Sequence, residues 1–315
     1  MTIPSSYSFT KYLLAKQTVD DRALNHQVWQ WLLGWLSTAT PQPLQILELG
    51  AGTGAMAERL LRADVLHHAI YTAIDADPET IAQARRHFHL PTWATEQGVH
   101  VTDEASGLRL RRSAQDIALR FETANLFAFI AREQGRQTWD LLIAHALLDL
   151  LDLSTALPLL FSVLRPGGYF YFPITFDGAS ILEPAIDPAY DAHIEALYHA
   201  TMDQRVVQGK PSGNSRSGRH LFAQLRTSGA EVLSAGSSDW VVFAGPNGYP
   251  ADEAYFLHYI IHTIHTALAT HAELDPDRFE RWIHQRHVQV EDHTLVYIAH
   301  QLDIVGRTST QPAIT

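Results

Sequence analysis

Residues 44–61, LQILELGAGTGAMAERLL, place three glycines within five positions between two apolar runs, and a carboxylate, Glu48, stands two residues ahead of the first glycine. LQILEL (44–49) has the length and apolarity of a buried strand, and GAMAERLLRAD reads as a helix beginning where the loop ends. Gly50, Gly52 and Gly54 therefore fall at a strand-to-helix turn. Lacking Cβ atoms, they permit a left-handed backbone and the close approach of a ligand. The free N–H groups of the following helix would point at a carboxylate or phosphate. In a doubly wound sheet this turn lies beyond the carboxyl ends of the strands, where ligands bind.

Outward from the loop, strands and helices alternate. AIYTAID (69–75) is a second strand, and Pro78 opens a helix through ETIAQARRHF. LRLRRSA and IALRFETAN both alternate, with QD turning a hairpin between them. The second of these is the third core strand, ending at Asn125, and the first is an added edge strand. A fourth strand spans about 140–144, RPGGYFYFPITF turns into a fifth, and RHLFAQLRTSGAEVLSAGSSDWVVF holds a helix and a sixth. TLVYIAHQLDIVG (294–306) is a long closing strand.

Residues 19–38 read as one helix capped by Asp20 or Asp21, with Leu24, Val28, Trp31, Leu32 and Trp35 on one face. GNSRSG (213–218) reads as a flexible loop. The expected fold class is α/β: a doubly wound, mostly parallel, seven-stranded Rossmann-like sheet with helical insertions forming a lid. The expected organisation is a helical cap over 1–40, the sheet domain over 41–306 with helical inserts at about 180–215 and 250–290, and a disordered tail over 307–315.

Composition narrows the function. Hydrophobic residues make up 46% of the 315, enough for a buried core. A formal net charge of −11 argues against a phosphate backbone as partner, and Arg109, Arg111 and Arg112 form the one dense basic cluster, read as a solvated strand face. The absence of cysteine excludes disulfides, zinc–thiolate sites and thiol nucleophiles. No export signal and no apolar run of roughly 20 residues appears, which points to a cytoplasmic protein.

Gly50-x-Gly52-x-x-Ala55 also satisfies the dinucleotide fingerprint, and Asp75, at the end of the second strand, suits a ribose diol under either reading. Glu48 separates the two. A carboxylate would repel a pyrophosphate, whereas a sulfonium cofactor carries an ammonium that an acid can hold.

LELGAGTG resembles the first motif of class I S-adenosylmethionine-dependent methyltransferases, and YTAIDADP is similar to the second. FETANLF sits where that family places an adenine-contacting strand end. LRPGGYFYF resembles the family's turn into its fifth strand, and the closing strand its antiparallel seventh. The resemblance covers roughly 45–175, 217–243 and 294–306, and leaves most of the inserts outside. It implies S-adenosylmethionine as cofactor. Glu48 would hold the methionine end; Gly50, Ala51, Gly52 and Gly54 would pass beneath the amino acid and ribose. Asp75 would accept both ribose hydroxyls, and Ala76 would lie on the adenine face. Asn125, where the family often has Asp, and Leu126 would read the adenine edge, and His145 would lie near the methyl group. Lys16 or Arg22 would pair with the methionine carboxylate.

Methyl transfer is an in-line displacement that alignment and water exclusion can accelerate without a side-chain nucleophile. A general base is needed only when the acceptor must lose a proton. His145 and Asp177 are the first candidates for that role, ahead of Tyr171, His220, Asp239 and Trp240. The tetrapeptide after the fourth strand is AHAL, not the NPPY of base-methylating relatives, so the expected partner is a small-molecule acceptor enclosed by the inserts, with its O or N atom open. Nucleic acid and membrane are not expected as partners, and a homodimer is the one further association considered. His258, His262 and His265 share a helix face, read as packing or pocket lining rather than a metal site. Two alternatives stand beside methyl transfer: a non-catalytic S-adenosylmethionine-binding protein with a regulatory or partner-binding role, and an NAD(P)-dependent oxidoreductase.

Overall fold

A computed structural model describes residues 3–40, 43–207 and 209–310. Three short helices lead: α1 (Phe9–Ala15), α2 (Gln17–Ala23) and α3 (His26–Leu36). The first alternating units follow as β1 (Leu44–Leu49), α4 (Ala55–Arg62), β2 (His68–Asp75), α5 (Pro78–His89) and α6 (Pro91–Gln97). Next come β3 (His100–Glu104), β4 (Gly107–Arg112), β5 (Gln115–Thr123), α7 (Leu126–Glu133), β6 (Trp139–Ala144), α8 (Leu153–Phe161) and the long β7 (Leu164–Glu183). The last third holds α9 (Pro188–Asp203), the small pair β8 (Val206–Val207) and β9 (Lys210–Pro211), α10 (Ser217–Thr227), β10 (Glu231–Ser237) and β11 (Trp240–Val242). It ends with α11 (Glu253–Leu268), α12 (Pro276–Glu291) and β12 (Val296–Arg307).

The main sheet runs β10-β12-β7-β6-β1-β2-β5-β4-β3, with β11 also paired to β12. The central strands β7, β6, β1, β2 and β5 are parallel, and β12 lies antiparallel between β7 and β10. Strand order reverses beside β1, so the glycine turn sits at a topological switch point. The sheet has ten strands rather than the seven expected. The seven are present as β1, β2, β5, β6, β7, β10 and β12; β4, expected as an added edge strand, is itself covered by β3, which takes the edge, and β11 is additional.

Helix starts follow their caps. Asp77 accepts the Glu79 N–H at 2.8 Å ahead of Pro78, and Asp187 and Asp275 cap helices that likewise open on proline. The single helix read over 19–38 is instead broken at Leu24–Asn25. The Asn25 side chain accepts from the Val28 N–H at 3.1 Å, its amide donates to the Ser237 carbonyl, and its own N–H donates to Asp303 Oδ2 at 2.8 Å. A capping residue tied to β10 and β12 outweighs the continuous apolar face. The hairpin turn falls at Ser113–Ala114, one dipeptide before QD, which opens β5. Within GNSRSG, Ser215 and Ser217 are buried, and Ser217 starts α10. The strand expected to close at 306 extends to Arg307, and the Thr308 N–H still donates to the Gly168 carbonyl; of the tail, residues 311–315 lie outside the described residues.

Side chains of the sheet alternate between two cores. Leu44 and Ile46 of β1 meet α3, α4 and α5 on one face, while Leu47 and Leu49 meet α7, α8 and α10 on the other. A third apolar cluster joins α1, α2, α9, α11 and α12 to the ends of β7, β11 and β12. The inserts therefore carry a core of their own, packed over the carboxyl end of the sheet.

Candidate active site

The turns after β1, β2, β5 and β6 and the helix pair α1–α2 line one cleft of about 270 Å³. Gly50 and Gly52 have φ of +67° and +53°, a conformation side chains resist. A Cβ on Gly52 would sit 3.2 Å from Leu13 Cδ1, so α1 lies directly over the turn. Gly54 has another purpose: with φ +84°, its missing Cβ makes room for Phe88 of α5, 2.9 Å away, and the residue does not line the cleft.

Six of the other expected cofactor residues are brought together with these two glycines: Ala51, Asp75, Ala76, Asn125, Leu126 and His145 all line the cleft. Asp75 Oδ2 accepts the Gly52 N–H at 2.8 Å and Oδ1 accepts the Asp77 N–H at 2.9 Å, which fixes the carboxylate at the lip with lone pairs to spare. The Asn125 side chain lines the cleft but has a second duty that the sequence reading did not include. Its Oδ1 caps α7, accepting from the Phe127 and Ala128 N–H groups, so it is already engaged as an acceptor. An asparagine before an apolar helical run carries that signal in the sequence.

Besides Gly54, three expected residues are not brought to the cleft. Glu48 points into the core on the Ile46 side of β1, 1% exposed, and Tyr71 donates its hydroxyl to Glu48 Oε2 at 2.7 Å. Burial pushes this carboxyl up to about 8, with the Tyr71 bond opposing and Asp75 adding to the rise. Glu48 is therefore largely uncharged near neutral pH and is walled off from any ammonium in the cleft. Arg22 forms a two-pronged pair with Glu253 of α11, its Nη2 at 2.8 Å, and leaves the cleft to Lys16. Asp177 anchors α10, accepting from the Arg219 N–H at 2.7 Å and from its guanidinium, and lines neither the cleft nor the cavity beside it.

The polar group facing the glycine turn was legible only in part. Lys16 Nζ stands 3.0 Å from Asp20 Oδ2, His145 Nε2 lies 3.3 Å from the same oxygen, and Trp240 donates its indole N–H to Asp20 Oδ1 at 2.9 Å. Burial alone would raise the Asp20 carboxyl. Lys16, His145 and Arg59 outweigh it and hold the group well below the usual range. His145 moves the other way: burial lowers it to about 4, against the pull of Asp20, so the ring is neutral at physiological pH. Asp20 reads from sequence as a helix cap; nothing local shows that it meets a histidine 125 residues on.

A second cavity of about 350 Å³ opens beside the first, and the two share Phe9, Leu13, Lys16, Ala146 and Leu150. Its walls come from the inserts and the closing strands: Tyr198 and Met202 of α9, Tyr259 and Ile260 of α11, Trp240 and Tyr297. Ala146, at the junction, holds φ +50°, and Ile174 in the second wall holds φ +57°, its N–H donated to Asp303 Oδ1 at 2.8 Å. A β-branched residue in that region is an outlier that its surroundings must impose. The helix histidines lie outside both cavities: His258 contacts His287 across α11 and α12 at 2.8 Å, His262 stacks on Tyr7, and His265 pairs with Glu280. Among the candidates weighed for catalysis, Trp240 alone joins the second cavity.

Residues 47–172 match the family described as a methyltransferase domain. By sequence, no curated protein matches the chain. Among solved structures, the chain is similar to a candidate sarcosine dimethylglycine methyltransferase from Galdieria sulphuraria, at 13% identity over 94% of this chain and 87% of that one, with a TM-score of 0.43. A candidate methyltransferase from Bacillus halodurans C-125 aligns at 11% identity over 88% and 99%, TM-score 0.45. A geranyl diphosphate methyltransferase in complex with S-adenosylmethionine aligns at 11% over 96% and 92%, TM-score 0.43. Residues 47–172 thus carry the pattern of a methyltransferase domain, and the cofactor of that family is S-adenosylmethionine.

Proposed function

We propose that this protein transfers a methyl group from S-adenosylmethionine to an oxygen or nitrogen of a small-molecule acceptor held in the second cavity. The observation that carries the reading is the joining of the two cavities: a cleft at the switch point of the sheet runs into an insert-walled chamber through five shared residues. A donor site and an acceptor site with one common wall is what an in-line displacement requires.

The residues present fit the cofactor. Gly50 and Gly52 leave a turn bare of side chains, and Asp75 offers acceptor lone pairs suited to a ribose diol. Ala76 and Leu126 supply flat apolar contact for a base, and Lys16, with one donor committed to Asp20, has donors left for a carboxylate. When bound, the cofactor supplies an electrophilic methyl group on a positively charged sulfur. The neutral His145 ring has a lone pair with which to take a proton from an acceptor, and Asp20 stands beside it to stabilise the imidazolium. Phe9 and Leu13 help exclude water from the junction.

The reading includes a cytoplasmic location and a diffusible acceptor. Among the described residues no helix is long and apolar enough to cross a membrane. Calorimetric titration with S-adenosylhomocysteine, followed by transfer of label from methyl-tritiated cofactor to a panel of phenols, carboxylates and amines, tests it. Binding with label transfer to at least one acceptor is expected. No heat at millimolar S-adenosylhomocysteine sinks the reading, and binding without transfer to any acceptor favours a non-catalytic role.

A further inference from the structure

We propose that the acceptor is an aromatic compound bearing a carboxylate, its ring held among the tyrosines of the second cavity and its carboxylate held by Arg205. The inference rests on the methyl-transfer reading and names its substrate class.

The argument is one of charge left over. Two cationic side chains line this cavity, Lys16 and Arg205. Lys16 is neutralised by Asp20 at 3.0 Å. Arg205, just beyond the end of α9, has no carboxylate of the described residues within ion-pair distance, and its guanidinium lies over Gly213, with Nη1 3.2 Å from where a Cβ would stand. The one acid among the lining residues is Asp149. Its carboxyl forms no ion pair with Arg205, and burial raises it against the influence of Arg205 and Lys16. Arginine cannot shed its proton in response. The cavity is left with one cation outside any ion pair, and its planar fork matches a carboxylate through two parallel hydrogen bonds.

The remaining lining sets the shape of the rest of the ligand. Tyr12 and Tyr259 stack at 4.3 Å, Tyr198 and Tyr297 stand on other walls, and Trp240 closes the side nearest Asp20. Such walls favour a flat ring through stacked and edge contacts, while phenol hydroxyls can bond its substituents. A cationic amine would meet the same aromatic faces but would also meet the like charge of Arg205.

The test uses the full-length protein saturated with S-adenosylhomocysteine. 3,4-Dihydroxybenzoate, 3,4-dihydroxybenzamide and 3,4-dihydroxybenzylamine are titrated calorimetrically into the parent, Arg205→Gln and Arg205→Lys. The benzoate is expected to bind about tenfold or more tighter than the amide, the amine weakest. Arg205→Gln is expected to erase the preference and Arg205→Lys to keep part of it, with S-adenosylhomocysteine affinity unchanged in both. Equal binding of acid and amide, preference for the amine, a preference that survives Arg205→Gln, or binding of none of the three to protein that binds S-adenosylhomocysteine overturns the inference alone. Failure of S-adenosylhomocysteine to bind overturns the methyl-transfer reading beneath it.

Discussion

Asp20→Asn isolates the charge at the centre of the site. The asparagine keeps the size of the side chain and can still accept from the Trp240 indole, which donates to Asp20 Oδ1 at 2.9 Å. What disappears is the negative charge 3.0 Å from Lys16 Nζ and 4.0 Å from an Arg59 nitrogen. Lys16 and Asp20 are 7% and 1% exposed, so Lys16 is stranded as a buried cation. Removing one partner of a buried pair costs about 3–5 kcal/mol, and retention of the Trp240 bond places this variant near the lower end. For a chain of this size that corresponds to a fall in Tm of roughly 4–6 °C. The partner experiment is Lys16→Met with Asp20→Asn: with neither charge present the desolvation penalty is gone, and most of the lost stability should return. Differential scanning calorimetry at pH 7 reads all four proteins of the cycle. A single variant that melts within about 1 °C of the parent, or a double variant whose loss equals the sum of the singles, would refute the claim that Lys16 and Asp20 compensate each other as a buried pair.

Three other outcomes follow from the same geometry. Glu48 is raised to about 8, so the folded state holds its proton more tightly than the unfolded chain and stability falls as pH rises from about 4.5 through 8; Glu48→Gln should gain on the parent by up to roughly 4 kcal/mol between pH 5 and pH 9 in urea titrations. His145 is lowered to about 4, so the unfolded chain takes up the proton first and stability drops as pH falls from about 6.5 towards 4; His145→Asn should remove up to about 3 kcal/mol of that acid slope, and the imidazole should titrate by NMR only near pH 4. Gly54→Ala should lower stability by at least ~1–2 kcal/mol, the strain of φ +84°, without altering the S-adenosylhomocysteine Kd of the folded protein, whereas Gly52→Ala should weaken that Kd.

The sheet and the glycine turn were legible because both depend on local pattern: strand–helix alternation, prolines at helix starts and a loop stripped of side chains. Two of these placements were also within reach. In β1, Leu44, Ile46 and Glu48 share one face by strict alternation, and that face meets α4 and Tyr71, so parity alone sends Glu48 into the core. Asn125 sits where an N-cap belongs. The position of α1 and α2 was a different matter. No spacing rule relates Asp20 to His145 or Leu13 to Gly52, because those contacts depend on how the chain crosses the sheet end after the break at Asn25. Asp177 shows the same limit from the opposite side. Its place after a strand resembles that of a catalytic acid, but α10 claims it.

The displacement of Glu48 shifts the electrostatic argument rather than ending it. A protonated carboxyl behind a β-strand repels no pyrophosphate, so the choice of cofactor falls to groups that face the cleft. Of these, Asp75 is fixed by two backbone N–H groups and Asp20 is held in its charged form by Lys16. Two carboxylates against one lysine leave the polar wall acidic while His145 is neutral. That balance suits a ligand with cationic sulfur and ammonium better than a diphosphate. The same lysine is common to both cavities, and with Phe9 and Leu13 it makes the N-terminal helices a wall shared by the two. The Asp20–Lys16 pair thus sets the charge of the cleft where it meets the wall shared with the second cavity.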